Sequence, residues 1–202
     1  MEIQFDSRDT KKIQKGILKK YKKVAKSPDG LFKYSTGRAG LEVLQYDSDF
    51  IQALPESVAA SYCGVGNPFT LGPLNEGEAV LDIGCGSGVD TIFAARITGP
   101  NGKALGIDTT SEMLKRAKDN LKLMHLKNVS FEEASAENLP FPDEKFDVVI
   151  SNGVFNLVPR KSKALSEVFR ILKPKGRLMI ADQILIGELP KEKKQIIKSW
   201  SR

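Results

Sequence analysis

Residues 79–90, AVLDIGCGSGVD, run a short apolar strand pattern straight into three glycines in five positions, Gly84, Gly86 and Gly88. A glycine-rich turn between a strand and a helix lets backbone N–H groups approach a ligand that any Cβ would push away. The N-terminus of the following helix adds a partial positive charge. Such turns bind nucleotide-like ligands at the C-terminal edge of a parallel sheet. The spacing here is G-x-G-x-G, with Asp82 before it and Val89 and Asp90 after it, where a dinucleotide turn has its third glycine. A pyrophosphate ligand is therefore disfavoured.

From residue 78 onward the pattern is regular. Apolar strand-like runs at 78–84, 103–108, 128–134, 145–152 and 176–185 alternate with helical periodicity at 89–98, 111–124 and 160–173. The alternation predicts a doubly wound, mostly parallel α/β sheet. A last helix is expected over 188–200, starting after Pro190. Upstream, DSDFIQALPESVAAS (47–61) carries two helix-start signals, Asp47/Ser48 and Pro55/Glu56. KSPDGLFKYSTGRAG (26–40) reads as a linker, and residues 62–78, with four glycines and two prolines, as an irregular lead-in.

At 202 residues the chain is long enough for one well-buried domain with a small appendage. The expected division is a basic helical cap and linker at 1–60 and a ligand-binding core at 61–202. No apolar run reaches membrane-spanning length and the first residues lack a secretory pattern, which predicts a soluble, cytoplasmic protein without membrane partners. Two cysteines, Cys63 and Cys85, agree with a reducing compartment. The net charge of +6 is concentrated in residues 1–40, which hold 11 Lys/Arg against 4 Asp/Glu. There Ile13, Ile17, Tyr21 and Val24 recur at helical spacing, with Lys11, Lys12, Lys15, Lys19, Lys22, Lys23 and Lys26 around them. The lysines are read as a wet face on a helix packed over the main domain, with a nucleic-acid or anionic surface as the alternative.

The glycine turn resembles motif I of the class I S-adenosylmethionine-dependent methyltransferases, and the similarity continues over roughly residues 55–190. ALGIDTT ends the second strand with Asp108, which the resemblance makes the acceptor for both ribose hydroxyls. ASAENLPF puts Ala136 and Glu137 beside the adenine, with Ser135 where many relatives have an acidic residue. VVISNGVFNLV puts Ser151, Asn152 and Gly153 at the methyl end, and FRILKPKGRLMIAD matches the passage into the fifth strand. Asp82, Gly84, Cys85, Gly86, Gly88, Thr109 and Met113 complete the implied S-adenosyl-L-methionine site, with S-adenosyl-L-homocysteine as product. For Cys85 a small buried packing role is the plainer reading, as a structural or surface role is for His125.

SYCGVGNPF, LDIGCGSGVD, SNGVFNLVP and LPFPDEKFDVV together resemble the arsenite methyltransferases. That family implies in-line methyl transfer to trivalent arsenic held by cysteine thiolates, whose lone pair needs no general base. No catalytic residue and no bound metal is assigned. Of the implied thiols only Cys63 stands at a matching place, as ligand, reactive thiol or simple buried residue. The fourth-strand position is Gly153, and residues 1–60 hold no cysteine. The acceptor is therefore expected to be a small molecule, with organic, thiol and metalloid acceptors all open. Tyr21, flanked by Lys20 and Lys22 where relatives carry a tyrosine pair and a glycine, is the expected cover over the cofactor.

Methyltransferases of this fold continue into two further strands, so the expected sheet is truncated after the fifth, with an open edge that allows strand pairing between copies. The oligomeric state is not readable. An artificial end, a natural truncation and a reading frame interrupted at a UGA codon for selenocysteine are all open at this stage. Two rival functions stand beside methyl transfer: cofactor binding without turnover, and nucleic-acid interaction through the lysine-rich helix.

Overall fold

The computed structural model describes residues 5–184, 186–187, 195–197 and 200. Five strands, β1 Ala79–Ile83, β2 Lys103–Asp108, β3 Val129–Glu133, β4 Phe146–Asn152 and β5 Leu172–Ala181, form one parallel sheet in the order β3-β2-β1-β4-β5. The chain winds outward from β1 to β3 and then returns to the other side of β1. The order reverses there, so the C-terminal ends of β1 and β4 border a crevice.

The two central strands are short, buried and largely apolar runs. Val80, Leu81, Asp82 and Ile83 of β1 and residues 148–151 of β4 are all buried, as expected of parallel strands covered on both faces. Alternate side chains face opposite layers. Val80, Val148 and Ile150 pack with Ala94 and Ala95 of helix α5 (Val89–Thr98). Leu81, Ile83 and Val149 pack with Ala164, Val168 and Ile171 of helix α7 (Lys161–Ile171) on the other side. Helix α6 (Ser111–Met124) brings Leu114 and Ala117 against Phe131 of β3.

Four helices precede the sheet: α1 Ser7–Val24, α2 Gly37–Val43, α3 Ser48–Ala53 and α4 Glu56–Ala59. The start of α1 is set by Asp6, whose Oδ1 accepts from the N–H groups of Arg8 and Asp9, both at 2.8 Å. Ile13 and Val24 are buried, while the seven lysines of the opposite pattern are exposed. Asp47 accepts from the Phe50 N–H at 2.8 Å and starts α3, and Pro55 precedes α4. The segment then enters the main core: Leu41, Phe50, Val58 and Tyr62 share one apolar cluster with Ile92 and Phe93 of α5, with the rings of Phe50 and Phe93 4.3 Å apart. Asn120, buried on α6, fastens the junction by donating to Ser61 Oγ and to the Ser87 carbonyl, each at 2.9 Å.

The structure corrects three expected boundaries. The linker at 26–40 ends inside α2, whose glycines read as turn residues; Gly37 N–H donates to the Tyr62 carbonyl at 2.8 Å, and a Cβ on Gly40 would meet the Ser35 carbonyl oxygen at 2.6 Å. α7 ends at Ile171 and β5 begins at Leu172, four residues early, because the chain passes directly from helix to strand with a register shift between Phe146 and Val148. β5 also stops at Ala181. The helix expected over 188–200 lies largely outside the described residues, of which 195–197 are helical. Among the described residues no helix is long and apolar enough to cross a membrane.

Because Phe50 is fully buried in the cluster shared with α5, Phe50→Ala is expected to cost about 3–5 kcal/mol. Urea denaturation should show this as an earlier single transition followed alike by helix and sheet signals. An unchanged main transition would separate the N-terminal helices from the core.

Candidate functional site

At the crevice lies a cavity of about 300 Å³, lined by the glycine turn, the ends of β2 and β4, the 134–137 segment and the underside of α1. The turn is built by left-handed backbone. Gly84 has φ +74° and Gly88 φ +83°, which side-chain-bearing residues rarely adopt. A Cβ on Gly84 would overlap Val154, and one on Gly88 would come within 2.6 Å of Phe131. The N–H groups of Gly84 and Cys85 donate to the Ile107 carbonyl at 2.8 and 2.9 Å, which seats the turn on β2. Asp108, at the end of β2, accepts from Gly86 N–H at 3.1 Å and Thr110 N–H at 2.8 Å. It therefore shapes the turn and the start of α6 as well as facing the cavity.

Most of the residues picked out in the sequence meet on this wall: Asp82, Gly84, Cys85, Gly86, Asp108 and Thr109 from the first two strand ends, Ala136 and Glu137, Asn152 and Gly153, and Tyr21 and Cys63. Three do not. Gly88 packs against Phe131 and Ala117, Met113 is fully buried behind Gly86, and Ser151 is buried with its hydroxyl donating to the Ile83 carbonyl at 3.0 Å. They support the wall from behind. Glu137 reaches the wall with its carboxylate already engaged by Arg160, whose Nε donates at 2.7 Å. His125 ends α6 on the surface.

Other wall residues carry weak or no sequence signals. Ile17 and Leu18 of α1 lie one turn from Tyr21 and Gln14 two turns, a helical spacing that nominates them. Tyr34 and Tyr62 sit in aperiodic segments; Tyr34 Oη donates to the Cys63 carbonyl at 3.1 Å. Asp90 lies in the opening stretch, where it drew attention only as the absence of a third glycine. It accepts from Tyr46 Oη at 2.7 Å and Asn152 Nδ2 at 2.9 Å.

The wall is electrostatically one-sided. No ion pair reaches Asp82, Asp90 or Asp108 from the described residues. Burial, reinforced by the Asp90 charge, holds the Asp82 carboxyl above its ordinary range even though Thr91 donates to it at 2.6 Å. Burial raises Asp90 as well, against the bonds from Tyr46 and Asn152, and raises Asp108 against its backbone donors. The Cys63 thiol is pushed up to about 12 by burial and by the Asp108 and Asp90 charges, against the pull of the Lys20 ammonium. It is a neutral thiol at physiological pH.

Residues 74–202 match the family model described as a methyltransferase domain. The chain belongs to the methyltransferase domain family. It is 37% identical over 155 residues to the arsenite methyltransferase of Halobacterium salinarum, covering 77% of this chain and 39% of that protein. It is 43% identical over 108 residues to a ubiquinone/menaquinone C-methyltransferase of a Marinomonas species, covering 52% and 43%. Among solved structures it resembles the arsenic(III) S-adenosylmethionine methyltransferase of Chlamydomonas reinhardtii, with TM-score 0.55, 31% identity, and coverage of 74% of this chain and 50% of that one. The chain thus spans less than half the length of both curated relatives.

The family's cofactor is S-adenosylmethionine, and the residues present fit it. The glycine turn leaves room where a Cβ would intrude, Asp108 offers a carboxylate to vicinal hydroxyls, and the buried Asp82 and Asp90 with the partly buried Asp108, none ion-paired among the described residues, suit a ligand carrying positive charge. Because a cation favours the ionised carboxyls and these groups hold protons more tightly than usual, binding should release protons. Affinity for the cofactor is expected to fall as the pH is lowered from about 7.5 to about 5.5. Calorimetry in buffers of different ionisation heat checks this; pH-independent affinity without proton release would contradict it.

Proposed function

We propose that this protein is an S-adenosylmethionine-dependent methyltransferase acting by in-line displacement on a small, soft acceptor, a thiol or a thiol-bound metalloid. The observation that carries the reading is one cavity in which the glycine turn and Asp108 face each other and the ends of α1 and β4 close the far side. Bound S-adenosylmethionine supplies an activated methyl on a cationic sulfur. Asp108 would hold the ribose, the backbone of the 84–86 turn the methionine end, and Ala136 the adenine side. Ile17, Leu18 and Tyr21 from α1 roof the cavity and exclude water, which strengthens the electrostatics inside and limits hydrolysis. In this reading residues 1–60 act as a cap on a 61–202 core.

The acceptor end supports a nucleophile that brings its own lone pair. Burial raises Tyr21, Tyr34 and Tyr62 well above the ordinary phenol range, so their hydroxyls stay neutral, and Cys63 stays a thiol. Such groups orient an acceptor by hydrogen bonding but do not take its proton. Positioning along the transfer axis is then the protein's main contribution. A metalloid would need thiols from outside, since Cys85 belongs to the turn, and among the described residues no three-ligand cluster exists. At position 153 a side chain would press on the Val65 methyl groups at 3.1 and 3.2 Å, so an apolar contact borders this end.

Purified protein given S-adenosylmethionine and a thiol reductant should form S-adenosylhomocysteine, with product rising when arsenite is added. Cys63→Ser should abolish the arsenite-dependent part. Confirmed cofactor binding with no product from thiols or arsenite would reject turnover on this acceptor class and favour a binding protein.

A further inference from the structure

Asp90 is the second residue of α5, buried, and on the cavity wall. Its two oxygens are held separately, Oδ1 by Tyr46 Oη at 2.7 Å and Oδ2 by Asn152 Nδ2 at 2.9 Å. Asn152 continues the connection. Its Oδ1 accepts from the N–H groups of Val65 at 2.8 Å and Gly66 at 3.1 Å, and its Nδ2 also donates to the Gly66 carbonyl at 2.7 Å. An unbroken hydrogen-bonded path thus runs from a buried carboxylate to the 63–66 loop, whose Cys63 and Gly64 line the same cavity. The groups around Asp90 are acidic or neutral: Asp82 from β1, Tyr46 and Tyr62 from the N-terminal segment, and Asn152 from β4. None of them neutralises it.

We propose that Asp90 is a positioning residue that responds to the positive charge of the bound methyl donor and, through Asn152, tightens the 63–66 loop at the acceptor end. A cation in the cavity favours the ionised carboxylate, and bonds to an ionised acceptor are shorter and stronger than bonds to a neutral one. The product carries a neutral thioether in place of the sulfonium, so it withdraws that support. The loop is held while the methyl is available and released once it has gone. Burial raises the Asp90 carboxyl to about 6, so its charge responds to the ligand in mildly acidic solution. This inference rests on the cofactor reading above.

The test uses Asp90→Asn, which removes the charge and one acceptor oxygen; the remaining oxygen can still accept from Asn152, and the new amide faces the Tyr46 hydroxyl, which can turn to accept. Calorimetry with S-adenosylmethionine and S-adenosylhomocysteine should show about ten-fold weaker binding of the first and less than about two-fold change for the second. Amide hydrogen exchange gives the second readout. In the unaltered protein the Val65 and Gly66 amides should be protected more by S-adenosylmethionine than by S-adenosylhomocysteine, and in the variant equally by both. Asp90→Glu, which retains the charge, should keep the preference and serves if the Asn variant does not fold. Equal losses for the two ligands, or loop amides that never distinguish them, would overturn the inference while leaving the cofactor reading intact. Failure of the unaltered protein to bind either ligand would overturn both.

Discussion

The rest of the structure depends on a backbone that must turn left at the end of β1. Gly84 and Gly88 hold positive φ where a Cβ would strike Val154 or Phe131. That conformation lets β1 stop abruptly, start α5 at once, and leave a hollow between them. β2 is drawn in by the bonds from Gly84 and Cys85 to Ile107, and Asp108 then lies opposite Gly86. The residues that turn the chain after β1 also line the cavity.

The N-terminal helices complete the site because they share its core. The aromatic cluster of Tyr46, Phe50, Phe69 and Phe93 packs this segment onto α5, and its polar side presents Tyr46 and Tyr62 to Asp90 and Asn152. α1 lies above, joined to α6 through the exposed Lys22–Glu112 pair, which contributes little by itself. The described C-terminal Trp200 stacks edge-on against Phe5 and donates to the Leu157 carbonyl at 2.9 Å. Both ends of the described chain therefore meet beside the cavity.

The parallel sheet was legible because buried strands are unmixed apolar runs between helices with their own period. The wall of the cavity formed by the turn was equally legible, since Gly84, Gly86 and Asp108 reach it through local backbone geometry that spacing encodes. What stayed hidden is what depends on distant partners. Asp90 and Asn152 are 62 residues apart, and Asn152 bonds to a loop 86 residues away. No periodicity marks such contacts. α2 was missed for a different reason: its glycines serve close packing, while in a sequence they read as turn residues. Glu137 lies on the cavity wall, and its bond from Arg160, 23 residues away, is a partner that no motif marks.

The most direct test of the central claim, that the turn and Asp108 form an S-adenosylmethionine site, is calorimetric titration of the cofactor into Asp108→Asn beside the unaltered protein. The variant keeps one acceptor oxygen and loses the charge and the second. Removing a charge-assisted acceptor should weaken binding by about ten- to a hundred-fold; because Asp108 also accepts from Gly86 and Thr110, the thermal transition of the free protein should fall as well, and the titration is made well below it. Unchanged affinity would contradict the claim and place the ribose elsewhere.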